Sequence, residues 1–223
     1  MMKRAIYLTG LYLLPPAING LRGGGLRPDR EAELLRLLRR HRCLGGALRL
    51  FDEGGIAADY TFGQAGRKRA VTPGMAFRVA SVSKMITAAC VLKLAEQGQV
   101  DLDEDVNLSL PFPVHHPAAP AQPITLRQLM SHTAAINDGQ AYQQGILTGA
   151  PASRVLQGDS YCSHLPGTRW SYANLGAVLI ACVLEGILKQ GFEAIIQETL
   201  FAPLGVKASF YPQRIQAPLA DAM

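Results

Sequence analysis

Cysteine and charge are both scarce in this sequence of 223 residues, and each shortage excludes a class of protein. The four cysteines, Cys43, Cys90, Cys162 and Cys182, form no Cys-x-x-Cys pair and are too few for a disulfide scaffold, so we expect mostly buried thiols. Charged residues make up 17% and hydrophobic residues 48%, whereas disordered chains are rich in charge and poor in apolar side chains. We therefore expect a folded chain of one large or two small domains.

Signals for metal sites are missing as well. The sequence contains no His-Glu-x-x-His pattern, and His115 and His116 lie in a proline-rich segment without a partnering carboxylate pattern. There is also no Gly-x-Ser-x-Gly nucleophile elbow. We expect neither a metal nor another cofactor.

The positive charge is modest and selects no partner by itself. A formal net charge of +5 favours anionic surroundings such as membrane lipid, cell-wall polymer or nucleic acid. The densest basic stretch, residues 36–42, alternates with leucines as on one face of an amphipathic helix, and it lacks the aromatic residues that stack on bases. We therefore expect a solvated helix face and no nucleic-acid partner; the oligomeric state cannot be read from these patterns.

The N-terminus resembles a short signal peptide. The basic residues Lys3 and Arg4 precede an apolar run over residues 5–14, which Pro15 and Pro16 end. That run is too short to cross the ~30 Å hydrocarbon core as a helix, and no clean cleavage site follows it. Export or membrane attachment is the expectation; a buried N-terminal segment in a cytoplasmic protein stays open as the alternative.

Local patterns predict a sheet followed by helices. The glycine triplet at residues 23–25 predicts a flexible joint, and Pro28 and Asp29 open a helix that runs to about residue 42. Residues 47–52 and 56–64, joined by a Gly-containing turn, predict a β-hairpin. Apolar residues at helical spacing predict a helix over residues 81–97.

The second half of the chain is predicted to alternate loops and helices. The prolines of residues 111–123 exclude regular structure, and a Thr-x-x-Gln capping box at residues 125–128 opens a short helix. Residues 139–167 are predicted to be irregular. Residues 174–190 are apolar nearly all round, which predicts a helix buried on most sides, and residues 192–201 predict another.

A candidate nucleophile lies at the start of the helix predicted over residues 81–97. Ser81 and Lys84 are three residues apart and therefore share one helix face. A serine hydroxyl is a poor nucleophile at neutral pH until a base takes its proton, and a lysine in a cleft can assist. The helix N-terminus would favour a developing oxyanion. Ser-x-x-Lys alone is a weak signal, because so short a pattern arises readily by chance.

A second element, Tyr172-Ala173-Asn174, precedes the buried helix. If Tyr172 faces Ser81 and Lys84, its phenol could shuttle a proton to the leaving group, and Asn174 could hold a substrate amide. The two short motifs together form a stronger signal than either one alone.

Longer blocks around both motifs resemble the serine β-lactamase family, in particular its class C branch with related esterases, D-aminopeptidases and D-Ala-D-Ala carboxypeptidases. The blocks are residues 77–84 (Phe-Arg-Val-Ala-Ser-Val-Ser-Lys), 124–133 (Ile-Thr-Leu-Arg-Gln-Leu-Met-Ser-His-Thr), 166–174 (beginning Pro-Gly and ending Tyr-Ala-Asn) and 203–205 (Pro-Leu-Gly). They occur in consistent order over roughly residues 40–210, which makes them far more specific than short motifs.

The resemblance implies an α+β, β-lactamase-like fold, with an antiparallel sheet, flanking helices and a helical domain. Residues 1–25 would then be a signal or anchor segment and linker, and residues 26–223 a partial family domain. Within it, residues 26–80 would supply the first helix and hairpin, and residues 81–205 the mainly helical region.

The resemblance also implies an acyl-enzyme mechanism on a small-molecule or peptide-like substrate, namely a β-lactam, an ester or a D-amino-acid amide. Ser81 would attack the carbonyl, Lys84 and Tyr172 would manage protons, and Asn174 would orient the substrate. His132 is expected to be a structural residue without a catalytic role.

Two departures from the family pattern stand out. Its third motif, a Lys or His, a small residue and then Gly on a C-terminal strand, has no counterpart in residues 206–223. The expectation is a truncated chain that lacks the C-terminal strands of the sheet, and a non-catalytic penicillin-binding-like sensor or an inactive pseudoenzyme stays open as the alternative. The second departure is Thr-Ala-Ala-Ile at residues 133–136, where the family usually has Thr-Ser-Gly-Leu; we expect it to affect a turn.

Overall fold

The structure, a computed structural model, describes residues 20–66 and 69–220. The predicted signal-like run over residues 5–14 lies outside the described residues. The described chain forms two compact units. One comprises residues 20–66 and 69–78 with residues 212–220, and the other comprises residues 79–211.

The first unit is built on an antiparallel sheet. Its elements are strand β1 (Leu21–Gly24), helix α1 (Pro28–Arg40), strand β2 (Gly45–Asp52) and strand β3 (Gly55–Gly63). The strand order is β1-β3-β2, and both pairings are antiparallel. The predicted helix and hairpin are therefore confirmed.

Two residues of the glycine triplet, Gly23 and Gly24, belong to strand β1 and do not form the predicted flexible joint. Residues Leu21 to Gly24 pair with β3 over the register Leu21↔Phe62 to Gly24↔Asp59. Gly23 has φ 119°, and a Cβ there would lie 1.9 Å from the carbonyl oxygen of Asp59. Glycine is needed at this position because the two backbones approach so closely, and the flexibility that glycine indicates in isolation is lost on pairing.

The second unit is mainly helical. A 3₁₀ turn (Ala80–Val82) leads into helix α2 (Ser83–Glu96), and a second 3₁₀ turn follows (Val106–Leu108). The later helices are α3 (Leu126–Met130), α4 (Gln140–Thr148), α5 (Ala152–Val155), α6 (Asn174–Leu188) and α7 (Phe192–Ile196), the last continuing as a π-helical turn (Gln197–Phe201). Residues 111–123 contain neither helix nor strand, as predicted.

Helix α6 lies at the centre of the core of this unit. Leu175, Leu179 and Leu184 on this helix are fully buried, and they belong to the same apolar cluster as Ile124 and Val91. The near-continuous apolar character of the helix is thereby explained, because it is covered on most sides. Burial of this helix fixes the position of its first residue, Asn174.

Residues 139–167 are more regular than predicted, because they contain α4, α5 and a 3₁₀ turn (Gly158–Ser160). Helix α4 begins after Gly139, where the carboxylate of Asp159 accepts a hydrogen bond from the backbone N–H of Gln140 at 2.6 Å. It ends at Gly149, which has φ 69°. A cap supplied from the other end of the segment leaves no local pattern, so the prediction of irregular structure was wrong.

The four cysteines are free thiols, but only Cys90 is buried and the other three are partly exposed, so the expectation of mostly buried thiols was wrong. The predicted capping box is confirmed, since the Thr125 hydroxyl accepts from the Gln128 N–H and the Gln128 side chain accepts from the Thr125 N–H.

Within the described residues, no single helix is long and apolar enough to cross a membrane. Only the pair formed by α6 and residues 192–201 would qualify by length and composition, and this pair is bent by 84°.

Candidate active site

The candidate nucleophile lies in a strained turn at the beginning of α2. Ser81 is the middle residue of the 3₁₀ turn, and the preceding residue, Ala80, has φ 45°, which L-residues rarely adopt. Lys84 lies in the first turn of α2, and its Nζ is 3.3 Å from the Oγ of Ser81. The spacing of three residues therefore places both side chains together.

Tyr172 and Asn174 join them from the start of α6. The phenolic oxygen of Tyr172 lies 2.8 Å from the Oγ of Ser81, although 91 residues separate the two in sequence. The Oδ1 of Asn174 accepts a hydrogen bond from the Nζ of Lys84 at 2.7 Å. All four residues singled out from the sequence thus form one hydrogen-bonded cluster within the second unit.

The cluster makes the phenol of Tyr172 more acidic. Hydrogen bonding to the side chain of Lys84, followed by hydrogen bonding to Ser81, lowers the pKa of Tyr172, and partial burial opposes this. The Nζ of Lys84 also lies 4.9 Å from the centroid of the Tyr172 ring. A phenol with a lowered pKa forms its phenolate more readily, and a phenolate held against a serine hydroxyl can take that hydroxyl's proton and return it.

His132 supports the ring of Tyr172 from one side. The two ring centroids are 4.6 Å apart, and the Nδ1 of His132 accepts from the backbone N–H of Ala173 at 3.4 Å. Partial burial, and next the charge of Lys84, lower the pKa of His132. A neutral imidazole that packs on Tyr172 and bonds to the backbone fits the structural role expected from the sequence.

Sequence reasoning missed Asp138. Its Oδ2 accepts from the Nδ2 of Asn174 at 2.7 Å, and its Oδ1 accepts from the backbone N–H of Leu175 at 2.9 Å. Asp138 lies in an Asn-Asp-Gly segment, which is typical of a turn, and it is 36 residues from Asn174 in sequence. No local signal connects it to the site.

Both ends of the Asn174 amide are engaged within the protein, one by Lys84 and the other by Asp138. The predicted contact of Asn174 with substrate stays a prediction.

The described residues contain no group of three or more His, Cys, Asp and Glu side chains that could hold a metal ion. Buried His116 uses its ring internally: its Nε2 donates to the carbonyl oxygen of Cys162 at 2.9 Å, and its Nδ1 accepts from the N–H of Ala118 at 3.3 Å.

The chain is similar to one protein-family model and to several curated proteins. A family model described as Beta-lactamase matches residues 29–223. Protein flp of Staphylococcus aureus strain MRSA252 is 23% identical over 168 residues, which are 74% of this chain and 34% of that protein. Penicillin-binding protein 4* of Bacillus subtilis strain 168 is 25% identical over 186 residues, which are 79% of this chain and 40% of that protein. The chain thus spans less than half the length of these two curated relatives.

Among solved structures, EstCE1, described as a hydrolase with promiscuous acyltransferase activity, is similar with a TM-score of 0.73 and 24% identity. The match covers 84% of this chain and 54% of EstCE1. The α+β fold predicted from the resemblance is confirmed by this similarity together with the family match.

Proposed function

This chain belongs to the beta-lactamase family, and from that premise we propose that it is a serine hydrolase that cleaves an amide or ester through an acyl-enzyme on Ser81. One observation carries the proposal: the Oγ of Ser81 lies 2.8 Å from the phenolic oxygen of Tyr172 and 3.3 Å from the Nζ of Lys84. A serine hydroxyl becomes a nucleophile when a base within hydrogen-bond reach takes its proton.

The donors in the cluster direct the Ser81 proton toward Tyr172. A lysine ammonium has three protons and no acceptor, so Lys84 donates both to the Oγ of Ser81 and to the Oδ1 of Asn174. When Tyr172 is ionised it can only accept, so the hydroxyl proton of Ser81 is then donated to its oxygen, 2.8 Å away. The phenolate form of Tyr172 is the base, and the adjacent ammonium stabilises it.

The proposed reaction is an acyl transfer in two steps, acylation of Ser81 and hydrolysis of the acyl-enzyme. The Oγ of Ser81 bonds to the substrate carbonyl carbon while its proton passes to Tyr172; Tyr172 then gives that proton to the leaving nitrogen or oxygen as its bond to the carbonyl breaks. Water attacks the resulting ester, its proton returns by the same route to the Oγ of Ser81, and a carboxylic acid is released.

Placement of Ser81 just before α2 favours the negative charge that develops on the carbonyl oxygen. The first N–H groups of a helix lack intrahelical partners, and the helix dipole places partial positive charge there. Helix α2 is 14 residues long, so this partial charge is fully developed. The backbone N–H of Ser81 is the donor that the family pattern assigns to this oxygen.

The proposed substrate is a β-lactam, an ester or a D-amino-acid peptide, each of which has a carbonyl carbon that Ser81 can attack. Two similarities support it: the relative named penicillin-binding protein 4* and the hydrolase EstCE1.

Intact-mass spectrometry of the 223-residue chain after exposure to benzylpenicillin or p-nitrophenyl acetate tests the proposal. We expect the mass to rise by one acyl group, and we expect Ser81→Ala to abolish the rise. Ser83→Ala is the matched control, because Ser83 lies two residues away and its hydroxyl donates to the carbonyl of Ala80 instead. An adduct that persists in Ser81→Ala, or a folded wild-type chain that neither forms an adduct nor releases p-nitrophenol, would refute the proposal.

The amount of p-nitrophenol released distinguishes the proposed hydrolase from the alternative, a penicillin-binding-like sensor. A hydrolase liberates p-nitrophenol well beyond one equivalent per chain, because the acyl-enzyme is hydrolysed. A penicillin-binding-like sensor stops after one equivalent, with the adduct retained.

A further inference from the structure

We propose that Asp138 is a positioning residue of this site: its carboxylate fixes the Asn174 amide, and through that amide it holds the ammonium of Lys84 beside Ser81. The inference rests on the proposed function for its kinetic consequence. Its structural content, the orientation of one side-chain amide, can be measured separately.

The two ends of the Asn174 side chain have charged partners of opposite sign. Its oxygen accepts from the Nζ of Lys84 at 2.7 Å, and its nitrogen donates to the Oδ2 of Asp138 at 2.7 Å. Turning the amide by 180° would face its NH₂ toward an ammonium and its oxygen toward a carboxylate. Both contacts would then be repulsive, because an ammonium only donates and an ionised carboxylate only accepts.

Asp138 is itself held in place by α6. Its second oxygen accepts from the N–H of Leu175 at 2.9 Å, in the first turn of that helix, where the dipole favours a negative charge. The carboxylate therefore spans the backbone of α6 and the side chain of Asn174. Since each of its oxygens has one of these partners, removing the negative charge leaves one donor without an acceptor.

The orientation of the Asn174 amide affects Ser81 through the position of Lys84. Asp138, Asn174 and Lys84 are all half-buried, so water replaces these hydrogen bonds less readily than at the surface. When the amide of Asn174 turns, the ammonium of Lys84 loses its acceptor and its fixed distance to the Oγ of Ser81. Asp138 touches neither Ser81 nor Tyr172 in this network; it acts through Asn174.

Asp159 provides a matched control. Its carboxylate caps helix α4 by accepting from the N–H of Gln140 at 2.6 Å, much as Asp138 caps α6. Asp138→Asn and Asp159→Asn remove the same charge and the same type of helix cap. Only the first change touches the Asn174 amide, so a difference between the two variants measures positioning and not capping.

The first measurement is the side-chain amide resonance pair of Asn174 in ¹⁵N-labelled protein, assigned by its loss in Asn174→Asp. We expect Asp138→Asn to shift these resonances and speed their exchange with water, and Asp159→Asn to leave them unchanged. Resonances that are the same in Asp138→Asn and wild type would overturn the inference, whether or not the chain is acylated.

The second measurement is acylation kinetics with p-nitrophenyl acetate. In Asp138→Asn we expect the maximal acylation rate to fall by about 10- to 100-fold, while the half-saturating ester concentration changes by less than about twofold. Asp159→Asn should keep the wild-type rate. Equal rate losses in both variants would overturn the positioning role. Failure of wild type to acylate would refute the proposed function and leave the amide measurement to decide the role of Asp138.

Discussion

Replacing Ala135 with glycine tests whether the loop leading to Asp138 stores backbone strain. Ala135 has φ 55°, in the left-handed region that costs an L-residue about 1–2 kcal/mol, and it is buried. This is the position at which the family pattern usually has glycine. Ala134, its neighbour, is also buried and is not among the positive-φ residues of the described chain. Ala134→Gly is therefore a matched control.

The expected free energies follow from three contributions. Each substitution removes a buried methyl group, worth about 0.8 kcal/mol, and adds backbone freedom to the unfolded chain, worth about 0.5–1 kcal/mol. Ala134→Gly should therefore lower the free energy of unfolding by about 1.5 kcal/mol. Ala135→Gly has the same losses but relieves about 1–2 kcal/mol of strain, so it should leave the free energy of unfolding nearly unchanged.

Urea unfolding followed by fluorescence measures this difference. Trp170 is the one tryptophan of the sequence, lies in the same unit as both alanines and contacts the rings of His132 and Tyr172, so the loss of these contacts on unfolding changes its emission. Equal slopes against urea concentration would show that the same surface is exposed in each variant. If Ala135→Gly destabilises as much as Ala134→Gly, the left-handed backbone at Ala135 carries no strain, contrary to this prediction.

Two further predictions concern the base and the core. The rate of Ser81 acylation should rise with pH to a plateau below the ordinary tyrosine pKa of about 10, because Lys84 and Ser81 lower the pKa of Tyr172 and the phenolate therefore forms earlier. Tyr172→Phe should abolish the rise and slow acylation by about 100-fold or more, whereas Tyr161→Phe should change neither; intact-mass time courses at stepped pH decide, and a wild-type rate still climbing past pH ~10 would contradict the assignment. Leu179→Ala in the buried face of α6 should lower the free energy of unfolding by about 2–5 kcal/mol in the same urea assay, and Val178→Ala, at an exposed position of that helix, by less than about 0.5 kcal/mol. Similar losses for the two would contradict the burial of Leu179.

Several elements could be predicted from the sequence because their causes are local. The apolar spacing of α2, the all-round apolar character of α6 and the Thr125–Gln128 capping box each depend on residues within a few turns of one another. The proximity of Ser81 and Lys84 is local in the same sense, since a helix places residues three apart on one face.

The remaining features arise from contacts between distant segments. Gly23 is part of a strand because β3 lies against it, and α4 begins where Asp159 supplies a cap from beyond its C-terminal end. Neither contact leaves a periodic pattern in the chain, so composition alone indicated a flexible joint and an irregular segment.

The candidate site likewise combines local motifs with contacts between distant segments. The sequence by itself determined which residues are candidates for the proposed chemistry, since Ser81 with Lys84 and Tyr172 with Asn174 each form a short motif. Only the tertiary structure decided that the two motifs meet and that Asp138 joins them. The packing of α6 in the core sets the position of Tyr172, 91 residues from Ser81, and no local pattern encodes a contact at that separation.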